Sequence, residues 1–169
     1  MRRPIRKYRD DVLATPAAPV VAFDDALRAL VDDMWETMYA ADGVGLAAPQ
    51  IGVSQRIFVM DCSGREKEAR RVAMINPEIV ETSGEQKGGE GCLSVPGIFS
   101  ELARPDRVRV RGLDPNGKPL ELVVEGLEAR CVMHECDHLD GKLYIDRLSS
   151  LKRDIVKRKI RKRQRDGDW

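Results

Sequence analysis

Both histidines of the chain lie in one short segment that also carries a carboxylate. His134 and His138 are four residues apart, and Glu135 lies between them. Neither Pro nor Gly interrupts residues 127–140, so we predict a helix over about residues 126–140. The i, i+4 spacing places both imidazoles on one helix face, where they can bind a single divalent metal ion. Glu135 would then lie beside the ion, able to take a proton from a water that the ion activates.

A third metal ligand has to come from another part of the chain or from the segment that follows. Neither His nor Glu occurs after His138. The pattern H-E-x-x-H-x-x-G-x-x-H fits as far as Gly141 but ends at Tyr144. A cysteine thiolate is a soft ligand that suits a transition metal. Three downstream carboxylates are weaker candidates: Asp140, Asp146 and Asp154.

The four cysteines differ in how well they could complete such a site. Cys131 shares the histidine face but lies about 4.5 Å below His134 along the helix axis, so we predict a pocket wall there. Cys136 points to the opposite face and is predicted to be core. Cys62 has no polar motif around it. Cys92 is preceded by glycines that let the backbone approach a ligand, so it is the best candidate for the third ligand.

Length and composition suit one domain with a sizeable core over residues 1–169. The chain is 42% apolar and 34% charged, with a net charge of +1. No apolar run follows the N-terminal Met-Arg-Arg, so we expect that the chain has no secretory signal and no membrane span. Without a secretory signal, four cysteines are expected to be thiols or ligands. We therefore expect a cytoplasmic protein with no membrane partner.

A glycine-rich segment follows the clearest predicted helix. Residues 24–41 have apolar side chains at helical spacing and are followed by Gly43. The next residues, 43–50, read Gly-Val-Gly-Leu-Ala-Ala-Pro-Gln. They favour a tight helix-to-strand turn over a binding loop, although Gln50 offers an amide that can donate and accept. No Lys-Ser/Thr pair follows, so this is not a phosphate-binding loop.

The middle of the chain carries short apolar runs typical of strands, and residues 108–111 alternate apolar and polar side chains like a strand with one face in solvent. A charged loop is predicted over residues 63–71, and a polar approach to Cys92 over residues 81–89. Strands are predicted at 57–60, 72–79, 108–111 and 120–124, with a hairpin turn at 114–117.

The C-terminal segment, residues 147–169, is predicted to form a basic helix. Ten Lys or Arg against three Asp give it a charge of +7, whereas the first 146 residues carry −6. Such asymmetry is typical of a surface that faces nucleic acid, and a solvated helix is the simpler alternative. The residues predicted to dock this helix are Leu148, Leu151, Ile155 and Ile160.

Three motifs together, in this order, resemble the signature of the peptide deformylase family. They are Gly-x-Gly-x-Ala-Ala-x-Gln at 43–50, Glu-Gly-Cys-Leu-Ser at 90–94 and His-Glu-x-Asp-His at 134–138. The resemblance extends over nearly the whole chain. It implies an α+β fold, with antiparallel strands packed around a central metal-binding helix and with a C-terminal basic helix.

The resemblance also implies a reaction, the hydrolytic removal of the formyl group from the N-terminal methionine of nascent polypeptides. Glu135 is implied as the base that later protonates the leaving amine, with the Gln50 side chain and the Leu93 backbone N–H as oxyanion donors. Fe²⁺ is the expected metal, and Zn²⁺, Ni²⁺ or Co²⁺ could replace it. The implied ligands are Cys92, His134 and His138.

Substrate and ribosome contacts are implied in the same way. Backbone amides of residues 44–46 would align the peptide as an added strand. The basic helix would dock on the ribosome near the peptide exit tunnel. Two positions depart from common family patterns: Met133, where Gln is frequent, and Phe99, where a polar or basic residue is frequent. The residues implied for substrate binding are Val44, Gly45, Leu46, Ile98, Phe99, Leu127 and Cys131.

Two other classes of protein are compatible with parts of the sequence. A zincin-type endoprotease would use Asp140, Asp146 or Tyr144 as the third metal ligand. A basic adaptor that binds RNA or the ribosome through its tail would leave Gln50 and Glu135 without a role. The experiment that best separates these classes is formate release from a formyl-methionyl peptide.

Overall fold

The computed structural model describes residues 1–64 and 67–169 of the chain. The described part contains three α-helices: α1 (Asp25–Ala40), α2 (Gly126–Leu139) and α3 (Ser150–Arg165). Its seven strands are β1 (Gly45–Ala47), β2 (Ile57–Asp61), β3 (Arg71–Ser83), β4 (Gln86–Cys92), β5 (Val95–Arg104), β6 (Arg107–Leu113) and β7 (Pro119–Glu125).

The strands form two antiparallel sheets, which confirms the predicted α+β class. Five strands pair in the order β1-β2-β3-β6-β7, and β4 pairs with β5 in a separate hairpin. The turn predicted at 114–117 joins β6 to β7, with the Gly117 N–H donating to the Asp114 carbonyl at 2.9 Å. Strand β1 is therefore an edge strand whose second side faces the β4–β5 hairpin across the cavity described below.

Helices cover both faces of strand β2, which explains why its sequence is apolar without alternation. Phe58 and Met60 are buried in the cluster that includes Val132 of α2. Ile57 and Val59 point to the other face, into the cluster formed with α1. Because both faces exclude water, every residue of β2 is buried. This packing holds α2 against the sheet and so fixes the positions of His134 and His138 relative to the strands.

Several predicted segments need correction at their boundaries. Residues 43–50 are more than a turn, since they include β1 and the start of a 3₁₀ helix, Ala48–Ile51. The predicted polar approach at 81–89 is largely strand, because β3 continues to Ser83 and β4 begins at Gln86. Its polar composition reflects solvent exposure along a hairpin. Of the predicted loop at 63–71, residues 65–66 lie outside the described residues.

The prediction of which residues dock α3 was half wrong. Leu148 and Ile160 are buried as predicted, but Leu151 and Ile155 are 72% and 42% exposed. The Ser149 side chain caps the helix, accepting from the Lys152 N–H at 3.3 Å. Leu148 thus precedes the helix and does not share its register. Val156 and Ile160 form the docking stripe instead. Among the described residues, no helix is both long and apolar enough to cross a membrane.

Candidate active site

Three potential metal ligands from two elements meet in the structure. Cys92 ends β4, and His134 and His138 lie on α2. Their ligand atoms all lie within 4.8 Å of one another, and Cys92 Sγ is 3.3 Å from His138 Nε2. Donors at such separations can surround one ion, and a thiolate with two imidazoles suits a divalent transition metal. The residues present therefore fit a single metal ion.

Buried charge fixes the orientation of His134. Its Nδ1–H donates to Glu90 Oε2 at 2.7 Å, which leaves Nε2 for the ligand cluster. Burial acts to raise the pKa of Glu90, but hydrogen bonds from His134 and Arg104 outweigh it and lower the pKa to about 2. Burial lowers the pKa of His138 well below its ordinary value, which favours the neutral imidazole that binds metals.

A buried ion-pair network ties the β4–β5 hairpin to α2 through Glu90. Arg104 makes two bonds to Glu90, at 3.0 and 2.7 Å, and a third to Asp137 at 2.8 Å. Arg130 donates to Glu90 at 3.0 Å, and Arg147 binds both oxygens of Asp137. Removing one partner from such a network leaves an uncompensated buried charge, at a typical cost of about 3–5 kcal/mol. The network therefore holds Cys92 and His134 in fixed relative positions.

Glu135 lies beside the cluster with one carboxylate oxygen unpaired. Its Oε2 is buried and has no hydrogen-bond partner among the described residues. Burial raises the pKa of Glu135 to about 7. A Cβ on Gly45 would lie 2.6 Å from Glu135 Oε1 and 2.7 Å from Cys131 Sγ. Only glycine lets β1 approach the carboxylate so closely.

The Gln50 amide is held in one orientation by the backbone around it. The Ala47 N–H donates to Gln50 Oε1 at 2.9 Å, so the NH₂ group must face the other way. Gln50 Nε2 then donates to Ser94 Oγ at 3.1 Å and lies 3.6 Å from Cys92 Sγ. The structure thus directs a donor group toward the candidate metal ligands.

An open cavity of about 520 Å³ gives access to this cluster. Of the residues predicted to bind substrate, Val44, Gly45, Phe99, Leu127 and Cys131 line it, together with Gln50, Leu93 and Glu135. Two others do not line it. Leu46 and Ile98 alternate with Gly45 and Phe99 along their strands, so their side chains are buried on the opposite faces.

The departures Met133 and Phe99 lie in different surroundings. Met133 is partly buried against the core cluster beneath α2, away from the cavity. Phe99 is 71% exposed at the cavity rim. Its ring covers Gly91, where a Cβ would come within 2.5 Å of the ring.

The other residues that could supply a third metal ligand, three carboxylates and Tyr144, lie in other environments. Asp140 pairs with Arg56 at 3.1 Å, and Asp146 accepts from the Leu143 N–H at 2.9 Å. The Tyr144 hydroxyl donates to the Ile98 carbonyl. Asp154 is exposed on α3. Within residues 1–64 and 67–169, the cluster of Cys92 and the two histidines is the one His, Cys, Asp and Glu group with metal-binding geometry.

Sequence reasoning missed the residues that position this cluster. Ser94, which accepts from Gln50, lies in the Glu-Gly-Cys-Leu-Ser motif, but the motif does not indicate this contact. Arg104, Arg130 and Asp137 are buried, whereas charged residues are usually solvated. One feature of the sequence does indicate such a partner. Glu90 lies two residues before the candidate ligand Cys92, and a carboxylate next to a metal ligand commonly pairs with a histidine or an arginine.

The α+β fold and this site define a metal-dependent hydrolase of the kind built on a His-Glu-x-x-His helix. The family model described as polypeptide deformylase matches residues 2–154. The chain belongs to the polypeptide deformylase family. The match ends within α3, so most of that helix lies beyond it.

Similar proteins agree over nearly the full length. A peptide deformylase of Acidobacterium capsulatum is 52% identical over 169 residues, covering 100% of this chain and 99% of that one. The crystal structure of a Legionella pneumophila peptide deformylase has a TM-score of 0.92 at 48% identity, covering 99% of this chain and 98% of the other. An Ehrlichia chaffeensis peptide deformylase in complex with actinonin has a TM-score of 0.89 at 42% identity, covering 97% and 98%.

Proposed function

We propose that the chain hydrolyses the formyl group from the N-terminal formyl-methionine of nascent polypeptides, releasing formate. The observation that carries the proposal is the unpaired Glu135 carboxylate beside Cys92, His134 and His138 at the base of an open cavity. A base next to three metal-binding side chains, reachable from solvent, suits hydrolysis of an amide. Family membership specifies which amide.

A residue of the candidate site can be assigned to each step of the proposed reaction. A divalent ion held by Cys92 and the two histidines would supply Lewis acidity toward water and the formyl carbonyl. Glu135 accepts the proton of the attacking water and returns it to the leaving amine. The Gln50 NH₂ group and the Leu93 backbone N–H donate to the developing oxyanion. The buried setting of Gln50 strengthens such a donor, since water does not compete for it.

The position of β1 at the sheet edge supports a mode of substrate binding. An extended peptide can add to the free edge of β1, where backbone groups of residues 44–46 supply hydrogen bonds. Leu46 takes part through its backbone alone, because its side chain is buried. Val44, Leu127 and Cys131 then form the wall for the methionine side chain.

The experiment that tests this function measures formate release from a short formyl-methionyl peptide. The matched control substrate is the same peptide with an acetyl group in place of the formyl group. We expect formate release, slow or absent deacetylation and no cleavage of internal peptide bonds. Internal cleavage without formate release would favour the endoprotease class instead.

Replacing Gln50 with Ala is expected to lower kcat by about 10²–10³-fold, the usual effect of losing one oxyanion donor. Since Gln50 does not belong to the ligand cluster, metal content should stay at the wild-type level. Steady-state kinetics and metal analysis of the same preparation measure both quantities. The exposed Gln164→Ala variant is the control and should behave as wild type. A kcat near the wild-type value in Gln50→Ala would remove this residue from the oxyanion site.

The proposal extends to the metal, the domain and the compartment. We propose Fe²⁺ as the bound ion on the basis of the family resemblance. The same thiolate and imidazole donors would also accept Zn²⁺, Ni²⁺ or Co²⁺. Residues 1–169 would act as one catalytic domain, which the buried network between β4, β5 and α2 supports. We place the protein in the cytoplasm, where nascent chains emerge and four free thiols persist.

We also propose that α3 binds ribosomal RNA near the peptide exit tunnel. Its outward face carries the exposed apolar residues Leu151 and Ile155, followed by Arg158, Lys159 and Lys162. The opposite face packs Val156 and Ile160 on the β4–β5 hairpin. Removing the helix would therefore uncover core, and charge substitution is the cleaner test.

The triple variant Arg158→Gln, Lys159→Gln, Lys162→Gln is expected to weaken ribosome binding by about 10²-fold at 0.1 M salt. The slope of log Kd against log salt should become shallower by about two to three, because three phosphate contacts are lost. Hydrolysis of a short formyl peptide should remain at the wild-type rate. Sedimentation with ribosomes over a salt series measures the binding.

The matched control removes three charges elsewhere on the surface, at Lys87, Lys118 and Lys142, all exposed. This variant should bind ribosomes as wild type does. Equal weakening in both triple variants would indicate a net-charge effect, and undiminished binding in the α3 variant would show that the helix is only a solvated face.

A further inference from the structure

The first residues of β5 form a bulge at the wall of the cavity. Where β4 advances by one residue, from 91 to 92, the paired position on β5 moves by four, from 99 to 95. Residues 96–98 therefore have no partner on β4. Pro96 and Gly97, within this bulge, line the cavity. Gly97 has a φ of +72°, in the left-handed region that favours glycine. Bulges are frequent beside active sites, where they direct a segment to a particular place.

Arg163 of α3 packs against this bulge. An ideal Cβ placed on Gly97 would lie 2.7 Å from both Cζ and Nη1 of Arg163 and 2.9 Å from its Nη2. The nearly equal distances to these three atoms indicate that the guanidinium lies face-on over the glycine. A planar and weakly hydrated guanidinium can pack on backbone in this way. The contact therefore requires glycine at position 97, in addition to the requirement set by its backbone conformation.

The environment of Arg163 differs from that of a solvated basic side chain. Residues 161, 162, 164 and 165 around it are exposed, whereas Arg163 is only partly exposed. Its Nε is buried and has no hydrogen-bond partner among the described residues, and its Nη2 donates to the Asp168 carbonyl at 2.9 Å. Burial of an unpaired donor costs free energy that a solvated arginine avoids. The contact with Gly97 is therefore part of the native packing.

The same region of the chain supports the bulge from its buried side. Ile98 is buried in the cluster that also contains Val156 and Ile160 of α3. The Tyr144 hydroxyl donates to the Ile98 carbonyl at 3.0 Å. Among the described residues, the cavity lining includes none from α3. Helix α3 can therefore affect the cavity only through residues such as those of the bulge.

We propose that Arg163 is a positioning residue that holds the bulge in place for the peptide residues that follow the formyl-methionine. The inference rests on the proposed function, in which an extended peptide lies between β1 and the β4–β5 hairpin. There β1 and α2 form the wall for the methionine side chain, which leaves the bulge to contact later residues. The family match ends at residue 154, so Arg163 lies outside the matched part of the chain.

The test compares a short and a long substrate in the Ni²⁺-loaded enzyme. The short substrate is formyl-methionine amide, and the long one is a formyl-methionyl tetrapeptide. Arg163→Ala is expected to raise KM for the tetrapeptide by about tenfold, a typical effect of losing one contact in a binding site. Its kcat, its metal content and its kcat/KM for the short substrate should stay at wild-type values. Arg161→Ala removes the same charge at an exposed position of α3 and should leave both substrates unaffected.

A double-mutant cycle tests whether Arg163 acts through Gly97. Gly97→Ala imposes backbone strain in any background, but its methyl group meets the guanidinium only when Arg163 is present. The increase in KM that Gly97→Ala causes should therefore be smaller by about fivefold in the Arg163→Ala background, as is typical of residues in contact.

Three kinetic results would overturn the proposal. They are an equal effect of Arg163→Ala on both substrates, an unchanged KM for the tetrapeptide, and independent effects of the two substitutions in the cycle. Hydrogen exchange needs no turnover, and the amides of residues 97–99 should exchange faster in Arg163→Ala than in wild type. Unchanged exchange beside normal formate release would reject the role of Arg163 alone, whereas a wild type that releases no formate would reject the proposed function on which that role rests.

Discussion

Replacing Cys92 with Ala is expected to remove bound metal and abolish formate release. Cys92 is the one candidate ligand from outside α2, and without it the cluster would retain His134 and His138 alone to hold the ion. Loss of an outer hydrogen-bond partner already costs about 10–100-fold in metal affinity, and loss of a ligand should cost more. Metal analysis of anaerobically purified protein, with formate release from the same sample, measures both effects.

The remaining cysteines provide matched controls for this variant. Cys136 lies on the opposite face of α2, in the core, so Cys136→Ala should lose some packing but no metal. Cys92→Asp is expected to retain part of the metal with a harder ligand set and lower activity. Stoichiometric metal in Cys92→Ala would reject this site and reopen Asp140 or Asp146 as ligands.

The cluster was predictable because local rules decide its geometry. A helix without Pro or Gly at 127–140 places His134 and His138 one turn apart in whatever tertiary setting it occupies. Excluding Cys131 also needed only the helix rise. The choice of Cys92 rests on the glycines that precede it, and Gly91 does lie where a side chain would meet the Phe99 ring.

The predictions that failed depend on where a helix begins or on contacts between residues distant in sequence. Ser149 caps α3, so Leu148 lies before the helix and does not mark its buried face. Successive helical residues are about 100° apart around the axis, and the buried face contains Val156 while Leu151 is exposed. Arg104 is buried because Glu90 and Asp137 lie beside it, and those residues are 14 and 33 positions away. Pattern reasoning places an arginine in solvent unless such partners are known.

Precision at the site thus comes from the residues that the sequence revealed least. The backbone of Ala47 orients Gln50, and Glu90 orients His134. Both act by fixing which atom of a two-sided group faces the cavity. A site held in this way needs little rearrangement during reaction, which is the main requirement for electrostatic stabilisation of a transition state.

Replacing Glu135 with Gln is expected to leave the metal bound while lowering kcat by about 10³–10⁴-fold, the upper range for loss of a general acid–base. The change keeps the shape of the side chain and removes its ability to accept a proton. Since Glu135 is not one of the clustered ligands, metal content should be unchanged. Thermal stability should not fall, because a neutral amide costs less to bury than a carboxylate.

The pH profile provides a second test of the same role. Glu135 accepts a proton only when ionised, so wild-type activity should be lost as pH falls through its pKa. Burial places that pKa at about 7, and a bound cation would lower it. This acid limb should be absent from the residual activity of Glu135→Gln.

Glu128→Gln is the matched control for Glu135→Gln. Glu128 lies two turns earlier on α2 and pairs with Arg70 at 3.0 Å, outside the cavity lining. Its loss removes a carboxylate from the same helix without touching the candidate base, so kcat and the acid limb should stay at wild-type values. If Glu135→Gln with full metal content turned over near the wild-type rate, proton transfer would have to be assigned elsewhere. If Glu128→Gln lost activity equally, the effect would belong to the charge of the helix and not to a base at Glu135.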